Sequence, residues 1–125
     1  MANGLYLRLS IADGDLGKEN KDESNSIDNQ RSLLVNFITD REDMSDEYIE
    51  YVDDGYSGTN FDRPAFKKMI EDAKSGKIDT VIVKDFSRFG RDYIGVGDYL
   101  EQVFPLFGVR FIAINDNYDS LNSQS

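Results

Sequence analysis

The stretch that decides the fold is GLYLRLSIADGD, residues 4–15, near the start of the 125-residue chain. From Leu5 onward, leucine alternates with other side chains, and a period of two is typical of a β-strand. We predict a strand over residues 4–10, with the leucines on one face and Tyr6, Arg8 and Ser10 on the other. An arginine and a serine on one face of a strand inside a sheet point to a role other than packing, because such positions are ordinarily apolar.

Helices and strands alternate along the rest of the chain. The predicted elements are, in order, a helix from Ser26, a strand over 48–54, a helix from Pro64 to Gly76, a strand over 78–86, a helix over 92–104 and a strand over 108–116. Ser26 is a suitable N-cap, Pro105 is expected to stop the third helix, and the tail after residue 116 is expected to fray. This alternation predicts an α/β fold with a mostly parallel central sheet of four to five strands flanked by helices.

Composition excludes several classes of site. The chain has no histidine and no cysteine, so it cannot build a Ser-His-Asp site, a Cys-His site or a His/Cys zinc site by itself. Residues 13–24 begin like a calcium loop but carry Lys18 and Ser24 where that loop needs glycine and a bidentate glutamate, so we predict no metal. No apolar run could cross a membrane, no signal peptide is visible, and the lack of cysteine favours the cytoplasm.

Charge is unevenly distributed along the chain. The net charge is −10, and residues 11–54 alone hold 14 acidic and 4 basic residues, whereas residues 62–92 hold 8 basic and 6 acidic residues. The acidic half would repel a phosphate backbone, so tight binding of DNA would require a basic partner domain.

Polar residues collect at the carboxyl ends of the predicted strands, which is where parallel α/β sheets bind ligands. They are Ser10, Asp53, Asp54, Ser87, Arg88 and Asp116. If the first and third strands are neighbours, Arg8, Arg63, Arg88 and Arg91 converge near Ser10. Arginines around one hydroxyl suit phosphoryl transfer, because guanidinium groups bind phosphate oxygens and keep their charge. The alternative is that Arg8 pairs with an acid such as Asp53 or Asp116 and that Ser10 only bonds within a turn.

Several motifs in the same order resemble the catalytic domain of serine site-specific recombinases, the family of resolvases, invertases and large serine integrases or transposases. They are YLRLS (6–10), SNSIDNQRSLL (24–34), YVDDGYSGTNFDRPAFKKMIEDAKSGKIDTVIVKDFSRFGRD (51–92) and GVRFIAINDNYDS (108–120). The long loop before Gln30 and the run DGYSGTNFDRPAF (54–66) are most similar to the large serine recombinase branch.

The resemblance implies a mechanism and a set of site residues. Ser10 matches the nucleophile, which attacks a DNA phosphodiester to give a 5′-phosphoserine linkage and a 3′-hydroxyl, followed by strand exchange and religation without metal or nucleotide cofactor. Arg8, Arg63, Arg88 and Arg91 match the phosphate-binding arginines, Gln30 the active-site glutamine and Asp53 an acid near the pocket; Tyr6 lies in the same motif as Ser10. Ser87 stands where resolvases usually carry aspartate, and Asp85, two residues away, is a possible substitute.

The resemblance also implies a larger protein. We expect residues 1–125 to be a catalytic domain without the family's long dimerisation helix and DNA-binding domains, and we expect the isolated fragment not to recombine DNA. The implied partners are double-stranded DNA and further copies of the chain, in a dimer or tetramer, in the bacterial cytoplasm.

Two other interpretations stay open. The first is a non-catalytic α/β regulatory module that binds an anion or nucleotide, such as a receiver domain; the absence of lysine after Lys84 weighs against it. The second is a recombinase domain that has lost its chemistry and is kept for protein contacts.

Overall fold

The computed structural model describes residues 2–9, 26–54, 63–90 and 93–121, with residues 93 and 94 as backbone only. Within these ranges, five strands form one sheet in the order β2-β1-β3-β4-β5. The strands are β1 (Ala2–Leu9), β2 (Tyr48–Asp54), β3 (Ile78–Val83), β4 (Arg110–Ala113) and β5 (Tyr118–Asp119). The first four run parallel and only β5 is antiparallel, so the predicted fold class is confirmed.

The described helices flank this sheet. They are α1 (Ile27–Thr39), α2 (Pro64–Lys74), α3 (Phe86–Phe89), α4 (Tyr93–Asp98), a π-helical segment (Tyr99–Val103) and α5 (Phe104–Phe107). The predicted starts of α1 and α2 are confirmed, because the Ser26 hydroxyl accepts from the Asn29 N–H and Pro64 is the first residue of α2. None of these helices combines the length and apolarity needed to cross a lipid bilayer.

Strand β1 is central and buried on both faces, although alternation of apolar and polar residues is typical of a strand with one solvated face. Leu5 and Leu7 pack in one apolar cluster with Leu34 of α1, whereas Tyr6 packs in the other with Phe66 of α2. Because β1 pairs with β3, the carboxyl ends of these strands are neighbours, and the site lies there.

The predicted third strand was too long. It ends at Val83 rather than at residue 86, because two carboxylates turn the chain into α3. Asp85 accepts from the Arg88 N–H at 3.1 Å, and Asp116 accepts from the Phe86 N–H at 2.7 Å. The fourth strand was also predicted too long, because it runs over Arg110–Ala113 rather than over 108–116. Gly108 before it and Asn117 after it adopt positive φ, which extended strands do not.

Pro105 does not stop the third predicted helix, which continues to Phe107. The helix widens before the proline, where the Phe104 N–H bonds the Tyr99 carbonyl five residues back. This wider turn accommodates a residue that has no N–H to donate.

The tail was predicted to fray, but its first part forms strand β5. Tyr118 and Asp119 pair antiparallel with β4, and Asp119 holds the Arg110 guanidinium through bonds of 3.0 and 2.6 Å.

Candidate active site

Arg8 lies near the carboxyl end of β1, Arg88 lies in α3 just after β3, and each side chain bonds the other residue's backbone. Arg8 Nε donates to the Arg88 carbonyl at 3.0 Å, and Arg8 Nη2 donates to the Ser87 carbonyl. In return, Arg88 Nη1 donates to the Arg8 carbonyl at 3.0 Å. These reciprocal bonds tie the end of β1 to the short helix α3, so two guanidinium groups 80 positions apart in sequence become neighbours.

Gln30 fixes the same end of β1 from helix α1. Its side-chain amide donates to the Arg8 carbonyl at 2.9 Å, and its amide oxygen accepts from the Arg8 N–H at 3.2 Å. Gln30 is fully buried, so this pair of bonds is shielded from water. The backbone two residues before Ser10 is therefore held by the Gln30 side chain in addition to its pairing with Asp53 of β2.

Arg63 belongs to a second buried chain of hydrogen bonds. Its Nη1 donates to the Tyr6 hydroxyl at 3.0 Å, and its Nη2 donates to the Phe89 carbonyl at 2.8 Å. Its guanidinium also lies 4.5 Å from the centre of the Phe66 ring. Arg63 thus ties the start of α2 to the Phe89 carbonyl at the end of α3, next to Arg88.

Tyr6 links Arg63 to Asp53. The Tyr6 hydroxyl donates to Asp53 Oδ2 at 2.8 Å, and the Asp53 carboxylate also accepts from the N–H groups of Ala65 and Phe66 at 2.9 and 3.0 Å. A carboxylate at the first turn of a helix binds orphan N–H groups and the positive end of the helix dipole. Asp53 therefore anchors α2, and with it Arg63.

The electrostatics of this chain follow from its burial. Burial raises the pKa of Tyr6, against the effect of Arg63 and with that of Asp53, so the phenol stays protonated and donates to Asp53. Burial likewise lowers the pKa of Arg63, aided by the nearby Arg8 charge. Arginine nevertheless keeps its charge in proteins, so the site concentrates positive charge in a dry setting.

Asp85 directly precedes α3 and Ser87 lies on it, next to Arg88 in sequence. Asp85 caps α3, and its Oδ1 lies 3.5 Å from Arg88 Nε. Ser87 is half-buried and lines a cavity of about 660 Å³ with residues of the 96–101 segment, including Glu101. Asp85 thus orients the Arg88 side chain, and Ser87 faces this cavity.

The structure brings together most of the predicted site residues. Among the described residues, the predicted set that meets at this edge is Tyr6, Arg8, Gln30, Asp53, Arg63, Asp85, Ser87 and Arg88. Ser10 and Arg91 lie outside the described residues, so their roles stay predictions. Within the ranges described, no group of three or more carboxylate, histidine or cysteine side chains is placed to hold a metal ion.

The sequence does not reveal the acceptors of the arginines. Arg8 and Arg63 donate to main-chain carbonyls of residues 87–89, and no residue type marks a carbonyl acceptor. Asp53 and Asp116, the acids considered as partners for Arg8, accept from N–H groups at the starts of α2 and α3. In the sequence, Asp53 and Asp116 are marked only by their position at the ends of strands. Helices also begin at strand ends, so this position does not tell a phosphate-site acid from a helix cap.

Comparison with known proteins matches nearly all of the chain to one family. Residues 4–125 match the family model described as resolvase, N-terminal domain. A putative DNA recombinase of Bacillus subtilis (strain 168) is 30% identical over 87 residues, which are 70% of this chain but only 15% of that protein. The chain therefore spans a small part of the curated relative that it matches.

Two solved structures share the fold over nearly all of the chain. The N-terminal catalytic domain of TP901-1 integrase matches with a TM-score of 0.80 and 25% identity, covering 98% of this chain and 84% of that one. A resolvase family site-specific recombinase from Streptococcus pneumoniae matches with a TM-score of 0.74 and 32% identity, covering 99% and 78%.

Proposed function

The chain belongs to the resolvase N-terminal domain family, and from this premise we propose that it is the catalytic domain of a serine site-specific recombinase. The observation that carries the proposal is the meeting of Arg8, Arg63 and Arg88 at the strand end that leads to Ser10, with Gln30 holding the backbone there. This arrangement supports phosphate chemistry at a serine hydroxyl.

The proposed reaction is a transesterification. The Ser10 oxygen attacks a DNA phosphorus and forms a P–O bond, while the bond between phosphorus and the 3′ oxygen breaks. The 3′ oxygen takes up a proton and leaves as a 3′-hydroxyl, and the proton of Ser10 is lost, so atoms and charge balance. The reverse attack by the 3′-hydroxyl of a new strand restores Ser10 and rejoins the DNA.

The arginines have distinct proposed roles. Arg88 and Arg91 would bind the non-bridging oxygens and stabilise the charge that develops on phosphorus, and Arg8 would hold the backbone of Ser87 and Arg88 in place. Arg63 would act by positioning, because its guanidinium holds Tyr6 and the Phe89 carbonyl.

Asp85 takes a positioning role in this proposal. Resolvases usually carry aspartate at the position of Ser87, and Asp85 is the nearest carboxylate in sequence. Since Asp85 caps α3 and lies beside Arg88 Nε, we assign it to orienting Arg88 rather than to proton transfer.

We further propose that the chain acts within a longer protein. A net charge of −10 opposes DNA binding, so most of the affinity for recombination sites would come from other domains and from dimer or tetramer formation. The 125-residue chain alone is expected not to recombine DNA, and the full-length protein is expected to act in the bacterial cytoplasm.

The test is covalent attachment of the full-length protein to DNA from the ends of the element that carries its gene. A denaturing gel should show protein joined to a 5′ DNA end in the wild type and in Ser32→Ala, an exposed serine on α1, but not in Ser10→Ala. Attachment that persists in Ser10→Ala would refute the proposal. Phosphate binding without attachment would favour the regulatory module.

A further inference from the structure

We infer that Asp116, in the turn between β4 and β5, is a positioning residue for Arg88. It acts through α3, the short helix that carries Ser87 and Arg88. The inference rests on the proposed function for the role of Arg88. It gives that arginine a support from a distant part of the chain, in addition to Asp85 next to α3.

Helix α3 is too short to hold its own position. It comprises four residues, Phe86–Phe89, and a single helical turn fixes several backbone angles for about one hydrogen bond. The N–H groups at the start of a helix also lack partners within it. The position of α3, and of the arginine on it, must therefore come from contacts with other parts of the chain.

The turn between β4 and β5, residues 114–117, supplies such contacts at the start of α3. Asp116 Oδ2 accepts from the Phe86 N–H at 2.7 Å, across 30 positions of sequence. One residue earlier, the Asn115 N–H donates to the Lys84 carbonyl at 2.8 Å. The turn therefore holds both the backbone that enters α3 and the first N–H of the helix.

Aromatic packing extends this contact to the side chain of Phe86. Its ring stacks on Phe111 of β4, with the centroids 5.9 Å apart, and its centroid lies 5.2 Å from that of Tyr118 of β5. These two rings belong to the strands on either side of the turn. The hairpin of β4 and β5 thus bonds α3 through its turn and packs against it through its strands.

The later part of α3 is held by the arginines of the site. Arg8 donates to the Ser87 and Arg88 carbonyls. Arg63 donates to the Phe89 carbonyl at 2.8 Å. With α3 held in this way, Arg88 Nη1 bonds the Arg8 carbonyl at 3.0 Å. Release of the start of α3 would therefore displace the Arg88 guanidinium from the geometry that the proposed reaction needs.

The bond from Asp116 can be removed without disturbing the core, because its side chain is exposed. Alanine at this position loses the bond to α3. Asparagine keeps an oxygen that accepts from the same N–H, and it caps helices about as well as aspartate does. The two substitutions therefore separate the hydrogen bond from the charge.

The first measurement is the rate of adduct formation by the full-length protein at saturating DNA. Asp116→Ala should slow it about 10- to 100-fold, because a small displacement of a catalytic group is enough for such a loss. The DNA concentration for half-saturation should change little, and Asp116→Asn should restore most of the rate. A wild-type rate in Asp116→Ala would overturn the inference.

Asp119→Ala is the matched control. It removes a carboxylate from the same hairpin, but one that bonds Arg110 of β4. This variant should form the adduct at nearly the wild-type rate. Equal losses in the two variants would show that the stability of the hairpin, rather than the bond to α3, sets the rate, and would overturn the inference.

A double-mutant cycle tests whether Asp116 acts through Arg88. In the Arg88→Ala background, Asp116→Ala should change the rate little, since the group that it positions is gone. A loss as large as in the wild-type background would show an independent effect and would also overturn the inference.

Hydrogen exchange separates this inference from the proposed chemistry. In full-length Asp116→Ala, the N–H groups of α3 should exchange at least about fivefold faster than in the wild type or Asp119→Ala. Faster exchange in a protein that forms no Ser10 adduct would retain the positioning of α3 and refute the chemistry. Unchanged exchange in a protein that forms the adduct would do the reverse.

Discussion

At the scale of single residues, the buried arginines all bond main-chain carbonyls, and in the proposed function Arg88 also contacts phosphate. Arg8 and Arg63 are 0% exposed and donate to carbonyls of residues 87–89, whereas Arg88 is 5% exposed and donates to the Arg8 carbonyl. The carbonyls at the end of a helix lack partners within it, and guanidinium groups satisfy them here. The site is thus built from arginines that bond one another's backbone segments, so we expect loss of Arg8 or Arg63 to affect stability and loss of Arg88 to affect catalysis.

Arg88→Ala should slow formation of the covalent adduct by about 10²–10³-fold, as loss of a preorganised donor does elsewhere. The measurement is the rate of adduct formation by the full-length protein at saturating DNA. Arg41→Ala is the control, because Arg41 bonds Asp43 on the surface. An unchanged rate in Arg88→Ala would remove Arg88 from the proposed mechanism.

Tyr6→Phe should destabilise the 125-residue chain by about 1–3 kcal/mol, because Arg63 and Asp53 lose a buried hydrogen-bond partner while the ring is kept. Urea unfolding would measure the change. Tyr48→Phe, at a tyrosine that is 40% exposed, should change the free energy of unfolding little. Equal effects of the two substitutions would show that the Tyr6 hydroxyl does not bridge the site.

The sequence predicted which residues meet here better than it predicted how they are bonded. Arg8, Asp53 and Arg88 could be placed because they lie at or just after the ends of predicted strands. The bond between Tyr6 and Asp53 spans 47 positions, and its geometry depends on the register of two strands and on the start of α2. No local pattern encodes that combination.

At the scale of elements, β1 depends on close approach at Gly4. A Cβ added there would lie 2.6 Å from Ile78 Cδ1 and 3.3 Å from Tyr51 Cε2. Both neighbours are buried, so they have little room to move. By contrast, a Cβ at Gly97 in α4 would meet nothing within 4 Å.

These surroundings predict opposite effects of the same substitution. Gly4→Ala should destabilise the chain by about 1–3 kcal/mol through overpacking. Gly97→Ala should stabilise it by up to about 1 kcal/mol, because alanine favours a helix. Thermal or urea unfolding of both variants would decide the matter, and a Gly4→Ala variant as stable as wild type would contradict the described packing of β1 on β3.

The elements that sequence reasoning misplaced were ended or extended by tertiary contacts. The apolar run up to Val83, followed by Phe86, suggested more strand, but Asp116, from a distant part of the chain, caps α3 at Phe86. Pro105 indicated a helix end, yet the wider turn at Tyr99 lets the helix continue. Two-residue strand β5 depends on its pairing with β4 and on Asp119 bonding Arg110, neither of which a nine-residue tail displays by itself.

At the scale of the whole molecule, the excess of acidic residues and most of the candidate phosphate-binding arginines come from different segments of the chain. The acidic excess lies in residues 11–54, while three of the four candidate site arginines, Arg63, Arg88 and Arg91, come from residues 62–92. In the proposed function, this chain contributes a cationic edge that engages phosphates locally, and the remaining affinity comes from other parts of a longer protein. The chain's share of 15% of its curated relative leaves ample length for such parts in that relative.

The central claim is that Ser10 becomes joined to DNA, and mass spectrometry of the adduct tests it most directly. Trypsin cuts after Arg8 and Lys18 and releases residues 9–18, LSIADGDLGK, in which Ser10 carries the only hydroxyl group. After nuclease digestion of the adduct formed by the full-length protein, we predict that this peptide gains the mass of a residual nucleotide through a phosphodiester. Nucleotide mass on any other peptide, or cut DNA with this peptide unmodified, would contradict the account.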